Sequence, residues 1–110
     1  MKLLIDDTRD ISYDVIARTF NAGLKMLLIG GWECICFDHD LGMGKTGYDL
    51  LKLAINNNLV NDAIIQLVSS NPVGRNRMKN LLLDNNYNTK DNFNFIKHEN
   101  EKETKNETQE

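Results

Sequence analysis

"FDHDLGMGKTGYDLL", residues 37–51, decides how this chain is read. It sets two carboxylates around a histidine and then runs into Gly44-Lys45-Thr46. That triplet suggests a nucleotide loop, which requires a glycine five positions before the Gly of Gly-Lys-Thr so that successive backbone N–H groups wrap a phosphate. Counting back from Gly44 lands on His39, and nothing nearby restores the pattern. The stretch is therefore an acidic wall, followed by a loop that leads into a helix.

The flanking sequence supplies the framework. "KLLI" (2–5) is a short apolar run ending abruptly in Asp6-Asp7, as a buried strand does when it emerges at a sheet edge. "DVIARTF" (14–20) alternates as a second strand, and Asn21 is placed to cap a helix through "AGLKMLLIG". "ECICF" (33–37) is the next strand, and it too runs into carboxylates, Asp38 and Asp40. Thr46 caps the helix "GYDLLKLAINN", in which Tyr48, Leu51 and Ile55 fall at helical spacing with Leu50, Leu53 and Ala54. "AIIQLV" (63–68) reads as a buried strand, followed by "SSNPVG", the helix "RNRMKNLLLDNN" and a closing strand, "NFNFIK" (92–97). Strands alternating with helices predict an α/β domain with a small, mainly parallel, five-stranded sheet. Only about eight residues join the first two strands, too few for an ordinary crossover helix, so that helix is shortened or missing.

With 110 residues, 41% of them hydrophobic, the chain makes one small domain, assigned to residues 1–97. The net charge of −3 comes entirely from "HENEKETKNETQE", residues 98–110, read as a solvated, disordered tail. Residues 1–97 balance eleven acids against eleven bases, so no basic excess favours long nucleic acid. Cys34 and Cys36 point to the same face of one strand and do not form a disulfide at that spacing. No signal peptide or membrane-length apolar run is present, and the expected setting is the cytoplasm. The wealth of Asn, Lys and Ile hints at an AT-rich bacterial or phage genome. Self-association into a homo-oligomer is left open.

In a parallel sheet the C-terminal strand ends share one edge, where open α/β proteins bind ligands. Asp6-Asp7 and Asp38-His39-Asp40 would meet there and repel unless a cation neutralised them. Either acidic pair alone also suits a turn. Their coincidence at two strand ends is what points to a cation. Oxygen ligation by Asp6, Asp7 and Asp38 favours Mg²⁺, Mn²⁺ or Ca²⁺ over zinc, with Mg²⁺ or Mn²⁺ expected; His39 leaves an imidazole-binding metal open. A third strand end supplies Ser69, Ser70 and Asn71, and Pro72 then starts a helix whose first turns carry Arg75 and Arg77. Hydroxyls, guanidiniums and a helix N-terminus suit an anion or phosphate.

This order of strand ends resembles the receiver domains of bacterial response regulators, which share the flavodoxin-like fold. There an acidic pair, an acceptor Asp, Ser or Thr, and Lys follow the first, third, fourth and fifth strands. Asp6 and Asp7, Asp38, Ser69 and Lys97 stand at corresponding places. "IDDTR", "FDHDLG", "TGYDLL" and "NPVGRNRM" together are more closely similar to the receiver-like family predicted to process cyclic phosphates. "RTFNAG" is similar to that family's Arg-Thr before its first clear helix, which implies that Arg18 faces the site. Members often carry His just before the serine of the fourth strand end. Here Val68-Ser69 stand instead, so acid–base work would pass to His39.

The resemblance implies a metal-dependent phosphoesterase acting on a cyclic phosphate or cyclic-nucleotide-type small molecule. Asp6, Asp7 and Asp38 would hold the cation, and Asp38 could instead attack phosphorus. His39 or Asp40 would move the proton. Arg9, Arg18, Ser69, Ser70, Asn71, Arg75, Arg77 and Lys97 would hold phosphate or ligand. Two alternatives remain open: a binder that sequesters a nucleotide signal without turnover, and a signalling module phosphorylated at Asp38.

Overall fold

The computed structural model describes residues 1–98; the remainder of the acidic tail assigned to 98–110 lies outside the described residues. In chain order the elements are β1 (Lys2–Ile5), β2 (Val15–Ala17), α1 (Phe20–Ile29), β3 (Cys34–Phe37), α2 (Gly47–Asn56), β4 (Ile64–Leu67), α3 (Pro72–Asp84), β5 (Tyr87–Thr89) and β6 (Asn94–Lys97). They build a mainly parallel sheet in the order β2-β1-β3-β4-β6-β5. The sheet has six strands rather than the five expected. The extra one is β5, which pairs antiparallel with β6.

Alternation along the strands sets the core. Leu3, Ile5, Ile35, Phe37, Ile65, Leu67 and Phe95 are buried in one cluster with Leu27 of α1, Leu50 and Leu51 of α2, and Met78 and Leu82 of α3. Burying a side chain of this kind is worth about 2 kcal/mol. The opposite alternation carries Leu4, Cys34 and Cys36, all buried. Beside them Tyr13 hydrogen-bonds Gln66. Burial pushes the Cys36 thiol up to about 12, and both cysteines are free.

As expected, β1 and β2 pair in parallel, Leu3 with Val15 and Ile5 with Ala17, without a crossover helix between them. Residues 6–14 cross as a loop. The strand expected over 14–20 shortens to Val15–Ala17 because α1 starts earlier than Asn21 suggests. Thr19 is the cap: its Oγ1 accepts the Ala22 N–H at 3.0 Å, which places Asn21 within the first turn. Thr46 caps α2 as expected, accepting from the Asp49 N–H at 3.1 Å.

The larger correction concerns the end of the chain. Asn86 takes a positive φ of 70° directly after α3 and turns the backbone into β5. That short strand spends one pass across the sheet, so β6 returns antiparallel against β4, with Gln66 opposite Asn94. The end of β6 therefore lies at the edge opposite the ends of β1, β3 and β4.

Candidate functional site

Three parallel strands bring their C-terminal ends into register. The backbone ladder continues past them: Asp6 N–H donates to Ala17 O at 3.0 Å, Asp38 N–H to Ile5 O at 3.0 Å, and Val68 N–H to Phe37 O at 3.0 Å. Asp6 and Asp38 are thereby fixed side by side, the first fully buried and the second nearly so. One carboxylate oxygen from each of Asp6, Asp7 and Asp38 lies within 4.8 Å of the other two.

Asp6 is the most constrained of the three. Its Oδ1 accepts the N–H groups of Thr8 (2.9 Å) and Arg9 (2.8 Å), and its Oδ2 accepts from Arg9 Nη1 at 2.9 Å. Burial alone would raise its pKa, but the Arg9 and Thr8 N–H groups and the Arg9 guanidinium prevail and hold it below the usual carboxylate range. The same Arg9 Nη1 stands 3.5 Å from Asp38 Oδ1, so one guanidinium serves both strand ends. Arg18 braces it from behind, donating to Arg9 O at 2.5 Å and lying 4.0 Å from Asp10.

Asp38 has the opposite balance. Burial first and the charge of Asp6 second raise its pKa, against the stabilising His39 N–H, Ser69 hydroxyl and Arg9. Ser69 in turn accepts the Asn71 N–H at 3.1 Å, and Asn71 caps α3 by accepting from Gly74 N–H at 3.1 Å. The site thus joins the ends of β1, β3 and β4 to the start of α3.

Two glycines make the approach of the helices feasible. A methyl group at Gly47 would stand 1.8 Å from the Asp38 carbonyl oxygen, and one at Gly74 would stand 2.3 Å from His39 Cγ. Gly47→Ala is expected to destabilise the protein by about 3 kcal/mol, because the clash is with backbone and α2 itself must move. A shift in the urea midpoint at unchanged m-value would measure it.

The structure divides the sequence-predicted residues into groups. Asp6, Asp7, Asp38, Arg9 and Ser69 come together, with Arg18 one layer behind. His39 is enclosed: it is 8% exposed, its ring lies against Gly74, and its Nε2 is buried without a hydrogen-bond partner among the described residues. Only Nδ1 makes a polar contact, 3.0 Å from Oδ1 of the exposed Asp40. As placed, the imidazole orients Asp40, and its Nε2 is shut off from the rim. Arg77 stacks over the Tyr48 ring at 4.2 Å, joining α3 to α2. Arg75 reaches Asn92 O at 2.6 Å, and Ser70 is exposed at the mouth of α3. Lys97 does not reach the acids; its Nζ donates to Asn61 Oδ1 at 3.1 Å at the far edge, a direct consequence of the antiparallel β6.

The packing role of Gly47 and Gly74 is not evident from sequence, although each lies in the first turn of the helix that follows an acidic or hydroxyl-bearing strand end. That position is the signal by which they could have been found.

A mainly parallel sheet with acids at the ends of its first and third strands and serine at the fourth defines a receiver-like domain. Residues 1–84 match the family of cyclic-phosphate processing receiver domains, and the chain belongs to that family. No curated protein and no solved structure gives a significant match. Among the described residues, no helix is long and apolar enough to cross a membrane.

Proposed function

We propose that the rim of Asp6, Asp7 and Asp38 is the reaction centre of a metal-dependent phosphoesterase-like protein acting on a cyclic phosphate or a cyclic-nucleotide-type small molecule. The observation that carries this reading is the convergence of three carboxylates within 4.8 Å at the ends of adjacent strands, with Ser69 just past the end of the next.

The donor set fits a hard divalent cation. It is all oxygen, and two of its members are buried. Mg²⁺ or Mn²⁺ held by these carboxylates would supply Lewis acidity toward a phosphoryl oxygen.

The remaining roles belong to the chain's own side chains. Ser69 orients an oxygen at the rim, and Arg9 offers its guanidinium to phosphate charge at the same place. Asp40 is the accessible carboxyl for proton transfer, held in position by His39. Ser70 and Arg75 border the approach from α3.

A second reading is favoured by the enclosure of His39: with no imidazole free for acid–base work, the protein would retain a nucleotide signal without turning it over. A phospho-accepting role at Asp38 fits less well, because Lys97 lies at the opposite edge of the sheet.

Incubation with a panel of cyclic phosphates and cyclic dinucleotides separates these readings. The expected result is product formed with Mg²⁺ or Mn²⁺ and abolished by chelator and by Asp38→Asn. Binding without product assigns retention, and an acid-stable, base-labile phosphoryl group on Asp38 after acetyl phosphate treatment assigns signalling.

A further inference from the structure

A cavity of about 430 Å³ opens beside Ser69, between α3 and the turn that joins β5 to β6, lined by Ser69, Ser70, Arg75, Asn76, Lys79 and Asn92. Among the described residues no acidic side chain lines it, in a domain where acids and bases are otherwise balanced. Arg75 and Lys79 are one helical turn apart, so both present their charge to this groove.

Both cations are half-buried, yet among the described residues neither forms an ion pair with a carboxylate. Like charges at this spacing repel. Side chains of this kind, when not paired, ordinarily extend into solvent. Arg75 is instead tied across the groove to Asn92 O, which fixes its guanidinium as one wall. The first turn of α3 carries no acid to offset its N-terminal partial charge, so the same corner gains further positive potential. The Ser70 hydroxyl and the Asn76 amide complete a lining suited to a multiply charged oxyanion.

Ser69 belongs to both places, since it follows the end of β4, which pairs with the end of β3 just before Asp38, and it also lines the cavity. We infer that the groove is a second anion subsite, and that the substrate is a phosphoester carrying another negatively charged group beyond the reacting phosphate. A nucleotide phosphorylated at both ends of its ribose has this chemistry, and so does the terminal unit of an oligonucleotide. The inference rests on the reaction centre proposed above.

Calorimetric binding of adenosine 3′-monophosphate, adenosine 3′,5′-bisphosphate and a diadenylate ending in a 3′-phosphate tests it in the presence of Mg²⁺. These ligands resemble ring-opened products. The bisphosphate is expected to bind about tenfold more tightly than the monophosphate. Lys79→Gln should abolish that advantage while leaving monophosphate affinity and thermal stability unchanged. Tighter binding of the diadenylate than of the bisphosphate would assign the subsite to an oligonucleotide end, and the reverse order to a free nucleotide.

Equal affinity of mono- and bisphosphate, or an advantage that survives Lys79→Gln, overturns the subsite. If monophosphate binding still responds to Asp38→Asn in that case, the proposed reaction centre stands without it. No binding of any of the three ligands overturns both.

Discussion

Replacing Arg9 with glutamine is expected to destabilise the metal-free protein by about 3 kcal/mol, the scale of leaving a buried charge without its partner. Arg9 Nη1 lies 2.9 Å from Asp6 Oδ2 and 3.5 Å from Asp38 Oδ1, so its removal sets two buried carboxylates against each other. Asp6 also loses one of the interactions that lower its pKa. In the wild type that lowered pKa contributes stability above the ordinary carboxylate range, which is lost as pH falls through the folded-state value. In the variant this contribution shrinks, so the loss of stability on acidification becomes shallower. On the proposed reading of the rim, the same substitution removes the guanidinium that competes with a divalent cation. Mn²⁺ should therefore bind Arg9→Gln about tenfold more tightly than the wild type and restore part of the lost stability. Urea unfolding with and without Mn²⁺ measures both effects. A variant as stable as the wild type without metal would show that the guanidinium does not hold the two strand ends.

Asp38→Asn should separate function from stability. On the proposed mechanism it abolishes phosphoester turnover, because it removes a carboxylate from the rim. The folded protein nevertheless holds the Asp38 proton more tightly than the unfolded chain does, since burial and the Asp6 charge both raise its pKa. Its contribution to stability is therefore greatest below the ordinary carboxylate range and is lost as pH rises through the folded-state value. Asparagine keeps an oxygen to accept from the His39 N–H and Ser69 and removes the charge. The variant is expected to be more stable than the wild type at neutral pH by on the order of 1 kcal/mol, a common outcome when an active-site charge is neutralised. The difference should close as the buffer is lowered toward about pH 4. Denaturant titrations at the two pH values decide it. A variant less stable than the wild type at neutral pH would mean that Arg9 more than offsets the repulsion from Asp6.

Much of this arrangement could be read before the fold was seen, because it is written in local chemistry. Apolar runs that stop at Asp6-Asp7 and Asp38, and another that gives way to Ser69, mark three parallel strands reaching one edge. Thr46 and Pro72 mark the helix starts, the first through a hydrogen bond made within three residues and the second through its fixed φ. What could not be read depends on longer-range geometry. Thr19 and Asn21 both have capping side chains, and only the observed backbone shows that Thr19 meets the free N–H. β5 is three residues long and mostly polar, "YNT", with too little alternation to announce a strand. Missing it reversed the direction of the last strand and carried Lys97 to the wrong edge. The enclosure of His39 depends on how closely α3 approaches at Gly74, which sequence spacing does not reveal.

Crystals soaked in Mn²⁺ and measured near the manganese absorption edge test the central claim most directly. The account predicts an anomalous-difference peak in contact with carboxylate oxygens of Asp6, Asp7 and Asp38, and its loss in Asp38→Asn. Full occupancy elsewhere on the molecule, with no peak among these three side chains, would contradict it.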